Sequence, residues 1–446
     1  MYPPKINFAD QFYALFVSTN PIKIMNRVFN RLGDTYGIQS MLAPNDFIFT
    51  KNPKLTEHFL RKNHRLYEKS NFQTEVLSKY IGKGLLTNTG ASWKKQRRLI
   101  QPGFSHSKIE SLTEVIKEEV LKNFENLPQN TPFDFYEFYN KLAFNVVAKS
   151  LFTTDIGEEK INFIARTITV AQEYFIKETR HPFYKIYFEL FGKIKGIRRE
   201  MQKVRQIFQE LINERRCSES SFDDLLDMML NITYEDTGEG MDDEQLIDEL
   251  LILFIAGHET TANTLSFTTY LLGKYPDEAK RILEHIQGLE EKYAIENLVK
   301  PSPVQNAINE SLRLFPPVWI IDRQALADDC FDDFSWKKDT IIIANILAMN
   351  RDEKRWERAN EFIPSRFIDP ETKEKLFIPF GSGPRYCIGE HFARLEMSIV
   401  LIHLQSEYEI ELVQDEIKML PYVTLRPEKV IARVKKRERL TKLRGN

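Results

Sequence analysis

The feature that most constrains this chain is a glycine-rich segment that surrounds a cysteine near the C-terminus. It reads Phe-Gly-Ser-Gly-Pro-Arg-Tyr-Cys-Ile-Gly-Glu-His-Phe-Ala over residues 380–393, and an apolar run with helical spacing follows it. Glycine lets backbone N–H groups approach an anion closely, and a helix N-terminus favours negative charge. The anion here would be the thiolate of Cys387, which a bound metal also favours over the thiol. A buried structural cysteine is the alternative interpretation.

The spacing of six residues in this segment resembles the haem-binding loop of the cytochrome P450 family. These residues are Phe380, Gly383, Arg385, Cys387, Gly389 and Ala393. Thiolate ligation suits a haem iron because electron donation from sulfur favours O–O cleavage. The resemblance implies a mainly α fold with minor β sheets, in which haem lies between a long central helix and this loop. It also implies that Cys387 binds the iron and that Phe380 and Gly389 contact the haem.

Composition indicates a globular chain with a large core and narrows the classes of partner. Of 446 residues, 42% are hydrophobic, and 62 Lys and Arg nearly balance 64 Asp and Glu. The net charge of -2 gives no general attraction to nucleic acid. Three cysteines, an odd and sparse number, argue against a disulfide framework and fit a reducing compartment. We expect a single cytoplasmic haem domain over residues 1–446, with no fused reductase domain and no transmembrane anchor.

Helical periodicity dominates the chain, and strand-like segments are few and short. The predicted helices cover residues 107–127, 163–178, 197–216, 243–275, 276–288 and 304–314. Strands are predicted at 46–50 and 340–344, and the segments 422–425 and 430–434 suggest a terminal hairpin. This pattern indicates a mainly helical chain with a small amount of sheet.

The middle of the long helix predicted at 243–275 carries a second candidate site. Residues 256–261 read Ala-Gly-His-Glu-Thr-Thr, and the glycine lowers the stability of the helix. Cytochromes P450 have a small-residue pair, an acid and an alcohol here, beside the oxygen site. The resemblance implies that Ala256 leaves space, that Thr260 holds a water and that Glu259 feeds protons to it. Threonines that only bond back to the preceding helical turn are the alternative.

Three charged residues resemble the structural core of the same family. Glu310 and Arg313 are three residues apart on a predicted helix, so they lie on one face. An exposed ion pair of little energetic value is the alternative interpretation. The resemblance implies instead a buried triad with Arg366, which supports the cysteine loop and takes no part in the chemistry.

Four further residues match family positions that grip the haem propionates. Trp93 and Arg97 are four residues apart on a predicted helix, and Arg323 follows a Pro-Pro pair. Arg385 precedes Cys387 by two residues. Arginine suits carboxylates because its guanidinium can bind both oxygens at once. A solvated surface position is the alternative for each arginine taken alone.

The reaction implied by the resemblance is monooxygenation on haem b, with O2 as co-substrate. NAD(P)H would supply electrons only indirectly, through a separate ferredoxin and ferredoxin reductase or a flavodoxin-type donor. Lys94, Lys95 and Arg98 would face that acidic donor. A P450-fold peroxygenase and a non-catalytic haem-thiolate binding or sensor protein are the other classes. The intact Glu259–Thr260 pair argues against both.

The substrate is the least constrained part of the prediction. Family positions place seven residues in the pocket: Gln172, Tyr174, Phe254, Ala256, Val318, Trp319 and Val423. Several are apolar, as is usual for such pockets, while Gln172, Tyr174 and His181 offer polar groups. The chain resembles bacterial P450s, including marine enzymes that demethylate 6-O-methyl-D-galactose and release formaldehyde. Hydroxylation of a fatty acid or a terpenoid is the competing hypothesis.

Overall fold

The computed structural model describes residues 1–7, 11, 20–39, 45–153, 156–180, 184, 187–188, 190–218, 222, 224–234, 238–369 and 377–438. Over these residues the α-helices are α1 (Pro21–Leu32), α2 (Pro53–Glu57), α3 (Ser78–Ile81), α4 (Gly90–Ile100), α5 (His106–Ser111), α6 (Thr113–Glu125), α7 (Phe135–Phe152), α8 (Glu158–Arg180), α9 (Lys193–Cys217), α10 (Leu225–Asn231), α11 (Asp243–Lys274), α12 (Pro276–Gln287), α13 (Ile295–Val299), α14 (Pro303–Leu314), α15 (Ile346–Asn350) and α16 (Glu390–Glu407). His181, considered above as a polar group of the pocket, lies outside the described residues.

The strands are short and belong to small sheets. They are β1 (Thr35–Ile38), β2 (Phe47–Thr50), β3 (Tyr67–Glu68), β4 (Phe133–Asp134), β5 (Ile320–Ala325), β6 (Asp329–Phe331), β7 (Phe334–Trp336), β8 (Ile341–Asn345), β9 (Tyr408–Leu412), β10 (Met419–Pro421), β11 (Leu425–Pro427) and β12 (Ile431–Lys436). The largest sheet in the described part of the chain has the strand order β1-β2-β8-β5-β3. In it, β2 and β8 run parallel, and the other neighbouring strands run antiparallel.

The predicted terminal hairpin is wrong in its pairing. The segment 425–427 pairs with 419–421, so β10 and β11 form a two-stranded hairpin of their own. β12 pairs instead with β9 and, at its beginning, with β4. A turn at residues 422–424 reverses the chain before the predicted strand 422–425 can extend. The two segments therefore belong to different sheets.

The long helix α11 forms the centre of the fold. Asp242 caps its N-terminus by accepting a hydrogen bond from the N–H of Gln245 (2.8 Å), and Asp243 adds negative charge to the first turn. The helix ends at Lys274 because Pro276 already starts the next one. Most faces of α11 are packed against apolar side chains. The hydrophobic core to which α11 belongs also includes residues of α7, α14 and α16. A helix buried in this way is a rigid wall for any site beside it.

Two chain segments meet α11 near its middle. One follows α14 and leads through Pro316-Pro317 into β5. The other is the glycine-rich loop before α16, which contains the 3-10 turn Gly383–Arg385. Among the described residues, no helix is both long and apolar enough to cross a bilayer.

Candidate active site

The site is an internal cavity between the middle of α11 and the loop that precedes α16. The cavity has a volume of about 350 Å³. This volume falls within the range of roughly 300–1,000 Å³ that is usual for ligand cavities. Ala256, Gly257 and Thr260 line it from α11, and Phe380 and Cys387 line it from the loop. The two segments that the sequence singled out therefore face one space.

A turn with two left-handed glycines presents Cys387 to this cavity. The N–H of Cys387 donates to the carbonyl oxygen of Phe380 (2.9 Å). Gly381 and Gly383 have φ angles of +80° and +70°, which residues with a side chain rarely adopt. A Cβ atom on Gly383 would also collide with the carbonyl oxygen of Leu60. The path of the loop consequently requires glycine at residue 383.

The thiol of Cys387 faces the cavity in surroundings that disfavour its charge. Burial raises its pKa, while the N–H of Gly389 and the charge of Arg97 lower it to a smaller extent. A bare thiol so placed keeps its proton, because burial without a cation penalises the thiolate. A Cβ atom on Gly389 would meet no atom within 4 Å, so the loop leaves open space next to Cys387. A metal in the cavity would supply the missing positive charge.

Three cations gather at one edge of the same cavity. Lys69, Arg323 and Arg385 all line it. Burial, together with repulsion from the two arginines, holds the pKa of Lys69 well below its usual value. Burial and the charge of Arg323 lower the pKa of Arg385 to about 9. Such a group of neighbouring cations is a site for anionic groups. Carboxylates that bind in the cavity would bring the pKa values of Lys69 and Arg385 back toward their usual range.

The hydrogen bonds of these cations within the described chain go to uncharged oxygen atoms. Lys69 Nζ donates to Gln73 Oε1 (2.9 Å), and Arg385 donates to the carbonyl of Asn88 (2.9 Å). Arg323 donates to the carbonyl of Asp322 (2.7 Å). Among the described residues, no other hydrogen-bond partner engages their remaining donors, which could bind the two carboxylates of one ligand. Lys69 was missed by the sequence analysis, since a single lysine reads as a surface residue.

Trp93 and Arg97 lie behind this cluster, on α4. The guanidinium carbon of Arg385 is 3.7 Å from the centroid of the Trp93 ring, so the ring orients that arginine. Arg97 donates to the carbonyl of Tyr386 (2.9 Å), next to Cys387. Both residues thus contact the cysteine loop directly.

On α11, Ala256 and Thr260 lie one turn apart on the face toward the cavity. Ala256 is exposed in a stretch whose neighbours are largely buried, which leaves space above the helix. The hydroxyl of Thr260 donates to the carbonyl of Ala256 (2.7 Å). This is the back-bond of the alternative interpretation, but the hydroxyl oxygen can still accept a hydrogen bond from the cavity.

Glu259 has a different orientation from its neighbour Thr260. It is 5% exposed and is not among the residues that line the cavity. One carboxylate oxygen accepts a hydrogen bond from Gln172 Nε2 (2.8 Å), and the other accepts one from Thr424 Oγ1 (2.7 Å). Gln172, predicted as a pocket residue, is therefore a partner of Glu259.

The other predicted pocket residues divide between the cavity and the core. Ala256 and Val318 line the cavity. The prediction for Phe254 is corrected, because its side chain is fully buried away from the cavity. Its ring packs against Phe144 and Phe208, with centroids 5.0 and 5.5 Å apart. The helical period places Phe254 on the opposite face of α11 from Ala256.

Three further pocket predictions also fall outside the cavity lining. The buried indole of Trp319 donates to the carbonyl of Tyr422 (3.2 Å). The ring of Tyr174 packs against Phe188 at 4.5 Å, between α8 and the segment after it. Val423 is half-buried against the core. Trp319 and Val423 nevertheless lie in segments that adjoin the cavity, because Val318 lines it and Leu425 bonds to Pro317.

Glu310 and Arg313 form a fully buried ion pair on α14. Arg313 binds both carboxylate oxygens of Glu310, at 2.7 and 2.8 Å. Arg366 donates to the same carboxylate at 3.2 Å. The remaining guanidinium nitrogen of Arg313, Nη1, donates to the carbonyls of Asn350 and Ala359, both at 2.7 Å. These bonds tie α14 to the segment that leads to the cysteine loop.

A haem group fits this cavity on three independent observations. The thiol of Cys387 lies in surroundings that disfavour its charge and needs a cation, and the cluster of Lys69, Arg323 and Arg385 needs anions. The walls between them are largely apolar, as a porphyrin face requires. A group that joins a metal, a flat apolar ring and two carboxylates meets all three demands.

Comparisons with known proteins agree with the fold. The family model for "Cytochrome P450" matches residues 4–433. The crystal structure of the cytochrome P450DA heme domain superimposes with a TM-score of 0.86 and 20% identity, covering 98% of both chains. The chain belongs to the cytochrome P450 family. The prediction of a mainly α fold with minor β sheets is confirmed.

Curated relatives are similar to the chain over most of its length. Cytokinin hydroxylase of Arabidopsis thaliana is 30% identical, with 80% of this chain and 72% of the relative covered. Cyclooctat-9-en-7-ol 5-monooxygenase of Streptomyces melanosporofaciens is 28% identical, with 84% and 82% covered. Pentalenene oxygenase of Streptomyces avermitilis is 24% identical, with 85% of each covered. The chain is accordingly a haem-thiolate monooxygenase that uses O2 and electrons from a redox partner.

Proposed function

We propose that this enzyme hydroxylates a terpenoid-like hydrocarbon, using haem b and electrons that reach it from NAD(P)H through a separate ferredoxin or flavodoxin-type donor. The reaction converts C–H, O2, two electrons and two protons into C–OH and water. Haem, when bound, supplies the activation of O2. The observation that carries the proposal is one largely apolar cavity that contains Cys387, Thr260 and Ala256.

The residues of the loop and the cation cluster hold the haem in this proposal. Cys387 supplies the thiolate for the iron, and Phe380 and Gly389 lie against the ring. Arg323, Arg385 and Lys69 bind the propionates, whose charge offsets their mutual repulsion. Two carboxylates match the excess positive charge that lowers the pKa values of Lys69 and Arg385.

Thr260 and Glu259 move protons in this proposal. The Thr260 hydroxyl faces the cavity and can bind a water there, since only its proton is engaged by the Ala256 carbonyl. Glu259 lies next to it on α11 and would pass protons to it through water.

The substrate class is argued from the cavity wall and from the relatives. The cavity lining includes the aliphatic side chains of Leu86, Leu253, Val318 and Ile321. Such a wall binds a hydrocarbon skeleton by burial, whereas a sugar would leave its hydroxyl groups without partners. Several relatives carry the names of terpenoid oxygenases. These points favour the terpenoid hypothesis over O-demethylation of 6-O-methyl-D-galactose.

The electron donor would dock on the outer side of the cysteine loop. A depression there is lined by Arg97, Arg98, Tyr386, Cys387 and Glu390. Exposed cations on α4 adjoin it, and they suit an acidic donor. A donor at this place would have the shortest path to the thiolate of Cys387.

The test is a spin-state titration of the haem-loaded ferric enzyme with three probes. We expect pentalenene to give a high-spin shift and 6-O-methyl-D-galactose to give none at the same concentrations. A shift with the sugar alone would overturn the substrate class, and a shift with palmitic acid alone would replace it by fatty acids. Ala256→Leu, which fills the space above α11, should weaken the pentalenene shift about tenfold.

A further inference from the structure

The carboxylate of Glu259 is held by two chain segments that are far apart in sequence. Gln172 belongs to α8, and Thr424 lies in the turn of the β10–β11 hairpin. Both side chains are buried, and each donates one hydrogen bond to the carboxylate, at 2.8 and 2.7 Å. Asn263, one turn further along α11, donates to Thr424 Oγ1 (2.9 Å) and fixes the direction of the hydroxyl. We call the residues Gln172, Thr424 and Asn263 the Glu259 clasp.

The clasp keeps Glu259 pointing away from the cavity. Successive residues of a helix are about 100° apart, so Glu259 and Thr260 cannot face the same direction. Protons would therefore pass between them through bridging water, which requires the carboxylate to stay in one position. The clasp holds it there, so a weaker clasp should deliver protons to Thr260 less regularly.

The hairpin that carries Thr424 is fastened to the wall of the cavity. The N–H of Leu425 donates to the carbonyl of Pro317 (2.8 Å), and the Trp319 indole donates to the carbonyl of Tyr422 (3.2 Å). Pro317 and its neighbour Val318 line the cavity. A substrate that presses on this wall would move the hairpin turn, because these two bonds lie on either side of Thr424.

We propose that Thr424 and Gln172 are positioning residues for Glu259, and that the hairpin turn couples contact with the substrate to proton delivery. This inference rests on the proposed function, in which Glu259 and Thr260 deliver the protons. Two protons must reach O2 for each hydroxylation. When the protons are not delivered in the right place, O2 is released with the same two electrons and two protons as hydrogen peroxide. The clasp would then set the share of electrons that reaches the product.

The first test measures the clasp without any turnover. The thermal unfolding midpoints of the haem-loaded ferric enzyme are compared for Thr424→Val, Glu259→Leu and the double variant. Leucine has no oxygen that could accept the bond from Thr424, so the same hydrogen bond is removed in both single variants. We expect the double variant to lose clearly less than the sum of the two single losses, and additive losses would overturn the clasp. Thr269→Val is the control: Thr269 lies about 15 Å further along α11, its hydroxyl is bonded to Tyr139 on α7 (2.8 Å), and its loss should be additive with that of Glu259→Leu.

The second test measures product and peroxide per NAD(P)H, with pentalenene as the probe and a surrogate ferredoxin system. We expect Thr424→Val to lower the product yield per electron about tenfold, the factor for one hydrogen bond to a charged group. Thr424→Ser should restore the yield, and Thr269→Val should leave it unchanged. Gln172→Leu should act in the same direction as Thr424→Val, and it covers the case in which that variant does not fold.

The outcomes separate the inference from the function on which it rests. A wild-type enzyme with no pentalenene shift would refute the proposed substrate, while the unfolding comparison would still test the clasp. A well-coupled wild type with equally well-coupled Thr424→Val and Gln172→Leu variants would refute the clasp and leave the proposed function standing.

Discussion

Glu249 has a buried carboxyl group on α11, beside the loop that borders the cavity. One carboxyl oxygen accepts a hydrogen bond from the N–H of Leu85 (2.9 Å), and the other has no partner among the described residues. Burial raises the pKa of Glu249 to about 8, and the adjacent charge of Asp248 adds to the rise. Asp248 itself binds Arg205 from α9 and the N–H of Lys83. We expect Glu249→Gln to remove a loss of folding stability that the wild type shows as the pH rises.

The size and sign of this effect follow from the pKa. A rise from 4.5 to about 8 corresponds to roughly 5 kcal/mol between the two ends of the titration. The folded state binds this proton more tightly than the unfolded state, so stability is greatest at low pH and is lost as pH rises through about 8. Glutamine resembles the protonated form and keeps the acceptor for the N–H of Leu85. The free energy of unfolding of the variant should therefore rise relative to that of the wild type by about 1.4 kcal/mol per pH unit between the two pKa values.

The assay is urea unfolding of the haem-loaded enzyme, followed by tryptophan fluorescence from pH 5.5 to 8.5. Glu244→Gln, on the exposed first turn of the same helix, is the control and should run parallel to the wild type. If the stability difference between Glu249→Gln and the wild type stays constant over this range, the reasoning about buried charge is refuted.

Three further predictions concern the cysteine loop, its support and the oxygen side. Gly383→Ala should unfold at a lower temperature and retain less haem, because the new methyl group collides with a backbone carbonyl; Gly157→Ala, with φ of +83° but open space, should lose far less, and equal losses would contradict the collision. Glu310→Gln should cost roughly 3–5 kcal/mol in urea unfolding, since it leaves a buried guanidinium without its charge partner; a loss below about 1 kcal/mol would contradict this. Thr260→Ala should keep the thiolate-type CO spectrum but send more electrons to hydrogen peroxide, and an unchanged peroxide yield would count against its role.

Regular elements were predictable where the local pattern is strong. The helix predicted at 243–275 is α11, Asp243–Lys274, because its cap, its apolar pattern and the following proline all agree. The helix predicted at 107–127 is instead divided into α5 and α6 at Leu112. No glycine or proline marks that break in the sequence, so only the packing of the two pieces explains it. The pairing of β12 with β9 likewise depends on contacts between distant segments.

The site was predictable to the extent that chemistry is encoded locally. The glycines around Cys387 are visible in the sequence and predict the loop. The spacing of Glu310 and Arg313 places both residues on one helical face. Lys69 carries no local signal, because its burial comes from a fold that encloses it with two arginines. The hydrogen bond between Glu259 and Thr424 joins residues 165 positions apart. Such a contact follows from the tertiary fold alone.

The central claim is that Cys387 binds a haem iron as a thiolate. The most direct measurement is the CO difference spectrum of the reduced, haem-loaded enzyme, recorded beside Cys387→Ser and a Cys330→Ser control at an exposed thiol. We predict a thiolate-type Soret band in the wild type and in Cys330→Ser, and its loss in Cys387→Ser. A haem-loaded wild type without that band, or a Cys387→Ser variant that keeps it, would contradict the assignment of the iron ligand.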